Sequence, residues 1–489
     1  MKTYRRYAPE QSYLLPPSPR EWLPSGHLVY FVIGFVDQLD IREIERQVQA
    51  KDHRGERPYS PRMMTALLLY GYAVGVYSSR RLERATVEDV AFRVLASGEQ
   101  PHFTTINAFR AAHRQALANL FVQVLAACQS AGLVKLGHVA IDGTKMKANA
   151  SKHKAKSYDR MVKDSERLRA EVETWLSRAE AEDAADEAEY GPYDPEEEVR
   201  LREEKLAKMA AAMEALKKET AAARARRLRE QAEELRDKAE LPTTSPKKQD
   251  EFRTLANKRD QQASLFDDDD LDPPSGPDGD LPRNSPPANP DGTPKPHAQR
   301  NFTDPESRIM LRDGSFLQAY NAQIAVDEAS QIIVATAVSN QSPDSEYFEP
   351  MLNRVVDNCD AVPERTTADS GYFSETNMRA AEHMGTEPFI AVGKHRNDGK
   401  QVEAPALPHQ HTDDRAAMRA LLATPTGRAI YARRKATVEP VFGQIRSARW
   451  FQQFSFRGLF KNRCEWALVC LAHNMLKLFR AGRPAIAAG

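Results

Sequence analysis

The sequence predicts an α/β protein: a mixed sheet flanked by helices, preceded by an all-α region and interrupted by a long helical and disordered insertion. Three observations carry this. Apolar residues recur at helical spacing through residues 1–130, and short β-branched runs bounded by turns recur between 319 and 392. The charged stretch from 157 to 300 is poor in core residues.

In the first part, "SPRMMTALLLYGYAVGVYSSRRLERA" (60–85) opens on Ser60 as an N-cap, with Pro61 at the first helical position. Met64, Leu67, Leu68 and Val74 follow at helical spacing. A second helix is expected from Thr86 or Val87 to about Leu95. A third, capped by Thr104 or Thr105, runs through "INAFRAAHRQALANLFVQVLAACQSA". The Gly/Pro turn between them and the polar opening Asn107, Arg110, His113 and Arg114 fit a helix-turn-helix-like unit. A plain helical bundle with a solvated basic face fits equally.

Residues 157–241 are dominated by Ala, Glu, Lys and Arg, with many opposite charges four apart. Leu201, Leu206, Met209, Met213 and Leu216 form a stripe for a long helix, a helical hairpin or a coiled coil. From 242 to 300, Pro, Asp, Gly and Asn take over. Such a segment buries too little apolar surface to offset chain entropy, so it is expected to be a disordered linker. Asp267–Asp270 then reads as a solvated acidic run rather than a metal site.

After it, "AYNAQIAV" (319–326) and "QIIVATAV" (331–338) read as a hairpin, "SEYFEPMLNRVVDNC" as a helix and "RTTAD" (365–369) as a strand. A helix "SETNMRAAEHM" capped by Ser374, a strand "PFIAV" (388–392) and a helical end from about 437 to 480 complete it. With "HVAID" (138–142) in front, the order is β, insertion, β, β, α, β, α, β, α. A ribonuclease-H-like domain has that order, here split into 131–156 and 301–480.

Bulk properties narrow the classes. With 489 residues the chain has room for two or three domains, and 69 basic against 69 acidic residues give no global bias toward a charged partner. Cys128, Cys359, Cys464 and Cys470 show no C-x-x-C pair, which argues against a disulfide framework or a zinc site. The longest apolar run, "HLVYFVIGFV" (27–36), is too short for a membrane span, and "MKTYRRYAPEQ" lacks a signal-peptide core. A cytoplasmic protein is expected.

Two strands end on an aspartate followed by a turn, "AID142-GT" and "TAD369-SGYF". Carboxylates converging at the ends of neighbouring strands make a site for hard cations, and a metal pair suits phosphodiester chemistry. Either aspartate alone reads equally well as a turn residue. A third acid, Glu439, is the only one in the basic, aromatic stretch "YARRKATVEPVFGQIRSARWFQQFSFRGLFKNRC" (431–464). Trp450, Phe451, Phe454 and Phe456 interleave with its basic residues, a pattern suited to nucleic acid. Because Pro440 follows Glu439, the helix is expected to begin near Thr437, placing Glu439 at its N-terminus. Asp344 reads as a helix cap in preference to a supporting role behind the metal ligands, Asp304 as an Asp-Pro turn, and His138 and His153 as ordinary polar residues.

These motifs resemble bacterial insertion-sequence transposases of the DDE class with an InsH-like N-terminal domain. The resemblance runs through "YSPRMMTALLLYGYAVGVYSSRRLER", "TTINAFR", "IDGTKMKANAS", "TDPESRIM", "QAYNAQIAVD", "ADSGYFSE" and "VEPVFGQIR". It implies Asp142, Asp369 and Glu439 as the catalytic, metal-binding triad on a ribonuclease-H-like fold, holding two Mg²⁺ with Mn²⁺ as an alternative. It further implies double-stranded DNA as partner, both terminal inverted repeats and target, a homo-oligomer on that DNA, a nucleoid location and no membrane. Arg446 takes the final basic place of the Tyr, Arg, Glu, Lys signature such proteins carry. Arg434 sits one residue further from Glu439 than that signature has it, which leaves Lys435 as a second candidate. Lys145, Lys147, Arg110, Arg114, Arg434, Lys435, Arg446 and Arg449 are the expected DNA contacts. Two alternatives stay open to the sequence: a nuclease without strand transfer, and a catalytically inactive DNA-binding relative.

Overall fold

A computed structural model describes residues 18–50, 57–183, 195–240, 244–266, 281–395, 401–402 and 412–482. Seven helices come first: α1 (Leu28–Val36), α2 (Arg42–Gln49), α3 (Pro61–Val74), α4 (Ser79–Glu88), α5 (Val90–Leu95), α6 (Phe103–Ala112) and α7 (Arg114–Ser130). Ser60 caps α3 by accepting from the Met63 amide, with Pro61 behind it. The expected helix boundaries need three corrections. Gly75, at φ 83°, ends α3, so Val74 stands exposed at the helix end and a separate α4 follows. Asp89 accepts from the Ala91 and Phe92 amides and starts α5. His102, not a threonine, caps α6, and the third helix breaks at His113.

Strand β1 (Val139–Lys147) follows α7, and β2 (Ala155–Ser157) pairs antiparallel with β3 (Gln299–Asn301). That short ladder closes the base of the insertion. Inside it, α8 (Tyr158–Asp183), α9 (Pro195–Glu240) and α10 (Pro246–Ser264) pack in sequence. Met209 and Leu216 of the expected stripe are buried, whereas Leu201 is exposed. The disorder expected over 242–300 is overturned for 246–264: Ser245 and Pro246 begin a helix that buries Ala256 and Ala263, the latter in a small cluster with Leu228 of α9. Small residues sufficed where large apolar ones were missing. Asp267–Asp270 lie outside the described residues.

The remaining elements are β4 (Arg308–Arg312), β5 (Ser315–Asp327), β6 (Ile332–Ser339), α11 (Phe348–Cys359), β7 (Arg365–Ala368), α12 (Glu375–Met384) and β8 (Glu387–Ile390). Then come α13 (Thr412–Ala423), α14 (Pro425–Gly443), a π-helical turn (Gln444–Ala448) and α15 (Leu459–Arg480). The main sheet runs β4-β5-β1-β7-β8, with β6 also on β5. β1 is antiparallel to β5 but parallel to β7, and β7 is parallel to β8. β1, which ends 168 residues before β5 begins, thus takes the centre of the sheet.

The N-terminal helices share one core with the sheet. α15 packs on α3, α7 and β6, and a single cluster links Val29 and Leu67 to Ile324 and Leu471. At the joint, the Tyr72 hydroxyl donates to buried Glu465 at 3.1 Å. All four cysteines are free and buried. No helix among the described residues is long and apolar enough to cross a membrane.

Candidate active site

The parallel pairing of β1 and β7 matches Val139 with Thr366 and Ala140 with Thr367. Continued by two residues, that register brings Asp142 level with Asp369, where β7 gives way to a 3-10 turn (Ser370–Tyr372). Asp369 fixes the turn by accepting from the Gly371 amide at 2.8 Å. Asp142 stays within β1, its side chain 18% exposed. One of its oxygens accepts from the Gly143 amide at 2.8 Å and the other from Arg434 Nη1 at 2.9 Å.

Burial pushes the Asp142 carboxyl up to about 6; Arg434 opposes that rise, and the charges of Asp369 and Asp344 add to it. Arg434 in turn is held charged against its own burial by Asp142 and Asp369, and its guanidinium lies 5.9 Å from the Tyr431 ring centre.

A third aspartate stands beside this pair. Asp344 caps no helix, contrary to expectation, because α11 begins four residues later without a side-chain cap. Its carboxylate accepts from Lys145 Nζ at 3.0 and 3.1 Å, and from the amides of Asn321 and Gln323 at 2.8 Å each. Gln323 also takes the hydroxyl of fully buried Tyr372. A side chain at Gly143 would meet Gln323 at 2.2 Å, so the glycine keeps room for this network. The sequence reading missed Asn321, Gln323 and Tyr372. A signal existed: two amides at alternate positions in the apolar strand "YNAQIAV" share one face and need buried partners.

Glu439 is placed differently from expectation. α14 begins at Pro425, capped by Thr424, so Glu439 and Pro440 sit inside its last turns and not at its N-terminus. The ring nitrogen of Pro440 leaves the Ala436 carbonyl without its helical donor, and Gln331 Nε2 donates to it at 3.0 Å. Glu439 lies on the exposed side of α14, about one and a half turns beyond Arg434. Among the described residues no group of three or more His, Cys, Asp or Glu is placed to hold a metal ion. The donors at Asp142 and Asp369 nevertheless suit a divalent cation: two hard oxygen ligands, one made costly to ionise by burial and by its neighbour's charge.

Four of the expected DNA contacts face inward. Arg110 donates to the Tyr77 carbonyl at 2.9 Å and covers the Phe456 ring. Arg449 is buried, with Nη1 on the Val469 carbonyl at 3.3 Å. Arg434 and Lys145 are taken by Asp142 and Asp344. Their charges serve interior carbonyls and carboxylates, so they are not free for phosphate. Of the polar face expected at the opening of the third helix, Asn107 is exposed and Arg114 half-buried, while His113 is buried against Gln47. Lys147 and Lys435 are exposed; Arg446 reaches Thr144 Oγ1 at 3.5 Å and Asp313 at 3.6 Å. Of the aromatics, Phe451 and Phe454 pack with Trp466 in the core, while Trp450 is 75% exposed. His138 bridges Glu328 and Thr367, and the buried carboxylate of Asp304 accepts from Tyr320.

Fold and site define an α/β protein whose adjacent parallel strands carry an aspartate pair with an arginine counter-ion. Residues 295–475 match the family model described as Transposase DDE domain, and residues 17–112 match Transposase domain (DUF772). The two matches together are consistent with an insertion-sequence transposase of the DDE class. A DDE domain implies a ribonuclease-H-like fold, DNA as substrate and a divalent metal as cofactor. Asp369 and Glu439 fall inside the matched stretch and Asp142 outside both; the sheet is what brings Asp142 to Asp369. No curated protein and no solved structure matches the chain.

Proposed function

We propose that the protein cleaves DNA at the ends of an insertion element and joins the freed ends to target DNA, with Asp142, Asp369 and Glu439 as its essential carboxylates. The observation that carries this reading is the level placement of Asp142 and Asp369 on β1 and β7, tight enough for one charge to raise the other's pKa. The overall reaction is two displacements at phosphorus, by water at the element end and then by the freed 3′-hydroxyl on the target strand. Asp142 and Asp369 would hold the cations, two Mg²⁺ or Mn²⁺, with Glu439 joining from α14. Bound there, such ions supply charge neutralisation and a more acidic attacking water.

The chain's own residues prepare the site. Arg434 keeps Asp142 ionised and oriented from α14. Lys145, Asn321 and Gln323 fix Asp344, so its negative charge stays behind the pair. Tyr372 closes the floor against water. Lys435 and Arg446, one turn before and two turns after Glu439, flank the approach for phosphate. Two ends must be cut together, so the protein acts as a homo-oligomer on DNA. The domain roles follow: helical DNA-positioning residues 1–130, the catalytic unit from 131–156 and 301–480, and the insertion of 157–300 between them.

The test is a strand-transfer assay with element ends carrying a free 3′-hydroxyl, in Mg²⁺. Joined product is expected. Cleavage without joining would assign a nuclease instead, and DNA binding with neither would assign an inactive relative.

A further inference from the structure

The two family matches leave residues 113–294 uncovered, and helices α8, α9 and α10 of the insertion lie wholly within that stretch. The contacts that anchor the insertion give it a role. On α9, Glu219 pairs with Arg300 of β3 and accepts from Nη2 of Arg308 of β4 at 3.2 Å. Arg308 Nε donates to Asn284 Oδ1 at 3.1 Å, and the Asn284 backbone amide donates to Asn340 Oδ1 at 2.9 Å. Two residues earlier, the Pro282 carbonyl accepts from Ser339 at the end of β6. The chain returning from the insertion is therefore fastened to the loop between β6 and α11, residues 340–347.

That loop carries Asp344. Its Gln341 carbonyl accepts from Asn321 Nδ2 at 3.1 Å, the same amide that reaches Asp344. The loop also backs the turn that begins at Asp369. Asn377 Nδ2 donates to the carbonyls of Ser345 and Tyr372 at 2.6 Å each, tying loop to turn. A Cβ at Gly371 would lie 3.0 Å from Asp369 Oδ1 and 3.6 Å from Asp344 Cβ, so Asp344 packs directly behind Asp369. Hydrogen bonds and short backbone steps thus run without a gap from α9 to the catalytic turn.

We propose that Glu219 and Asn340 are positioning residues for the aspartate pair, through which the docked insertion fixes the loop that supports Asp344 and the Asp369 turn. Energetic coupling between distant sites travels through contiguous networks of this kind. Asn340 is 6% exposed, so losing its partners leaves a buried amide that water does not satisfy. A catalytic constellation tolerates only about 0.5 Å of misplacement, which makes the backing of Asp369 matter for rate. The effect on rate rests on the transposase reading; the control of the loop does not.

The experiment follows hydrogen exchange by mass spectrometry in the full chain, reading residues 340–347 and 369–374. It compares wild type with E219Q, N340A and the E219Q/N340A double variant. D260N is the control: it breaks the Arg236–Asp260 pair between α9 and α10, inside the insertion but off the path. E219Q and N340A are each expected to speed exchange in both stretches about tenfold, the equivalent of one hydrogen bond to a charged group. The double variant should exchange no faster than the faster single one, because both act in one chain of contacts. D260N should match wild type. Unchanged exchange in E219Q, an equal rise in D260N, or multiplied effects in the double variant overturn the proposal. On element ends, E219Q should lower kcat about tenfold and leave KM for DNA unchanged. A change in KM alone overturns the positioning role. If wild type cleaves no end, the transposase reading fails while the exchange rates still decide the loop.

Discussion

Arg434 Nη1 donates to Asp142 Oδ2 at 2.9 Å across 292 residues of sequence, joining the helix that carries Glu439 to the central strand of the sheet. The pair is largely shielded, with side-chain exposures of 10% and 18%. It is also the interaction a cation at Asp142 must share or displace.

Arg434→Gln is therefore expected to destabilise the metal-free protein at pH 8 by about 3 kcal/mol, because the carboxylate loses the charge that offsets its burial. Urea unfolding measures this. Added Mg²⁺ should restore more stability in the variant than it adds to wild type. Unchanged metal-free stability would show that the pair contributes nothing.

The Asp142 carboxyl, raised to about 6, gives a pH dependence. A group raised in the folded state favours folding below its unfolded value near 4, and this contribution is lost as pH rises through about 6, up to about 3 kcal/mol in all. Protons also compete with cations there. Calorimetry should find Mg²⁺ affinity level above pH 7 and falling about tenfold per unit below about 6. Constant affinity down to pH 5 would remove Asp142 from the binding set.

Glu465 ties the first helices to the last. It accepts from Tyr72 and from the Ser455 amide at 2.7 Å, and Arg110 faces it electrostatically. Glu465→Ala leaves those donors without their acceptor and should cost about 3 kcal/mol or more, with Tyr72→Phe costing about 1. Thermal unfolding should remain one transition in both. A separate early transition for the N-terminal helices in wild type would contradict the shared core.

His473 is buried and neutral, its Nε2 donating to the Gln331 carbonyl at 2.9 Å, and burial pushes its pKa down to about 3. Its depressed value means stability is full above about 6.5 and falls as pH drops, by about 1.4 kcal/mol per unit. His473→Gln retains a donor and removes the titration. Acid unfolding of that variant should begin at lower pH than in wild type, and an unshifted acid limb would contradict the assignment.

Periodicity located the hairpin 319–338, helix α11, strand β7 and the Ser374 cap, because these elements are dictated by local pattern, although β5 begins four residues earlier, at Ser315, and α11 three residues later, at Phe348. Helix boundaries at Gly75, Asp89 and His113 were less legible: the breaks at Asp89 and His113 are single residues and the one at Gly75 is four, in a sequence that stays helical on both sides. α14 shows the clearest tertiary override. Pro440 reads locally as a first-turn residue, yet Gln331, distant in sequence, supplies the missing donor and lets the helix run through it. At the site both aspartates were visible, but only Asp369 follows a strand end; the turn expected after Asp142 is absent, because β1 pairs with β5 through Gly143 and Thr144 and runs on to Lys147. Basic character was visible too, but not direction: Arg434 and Lys145 turn inward to carboxylates that only the fold brings near.

The most direct measurement is Mg²⁺-dependent cleavage and joining of element ends by wild type, Asp142→Asn, Asp369→Asn and Glu439→Gln, with DNA binding followed in parallel. The account predicts product from wild type alone, while all four proteins bind DNA. Cleavage that survives Asp142→Asn would contradict it.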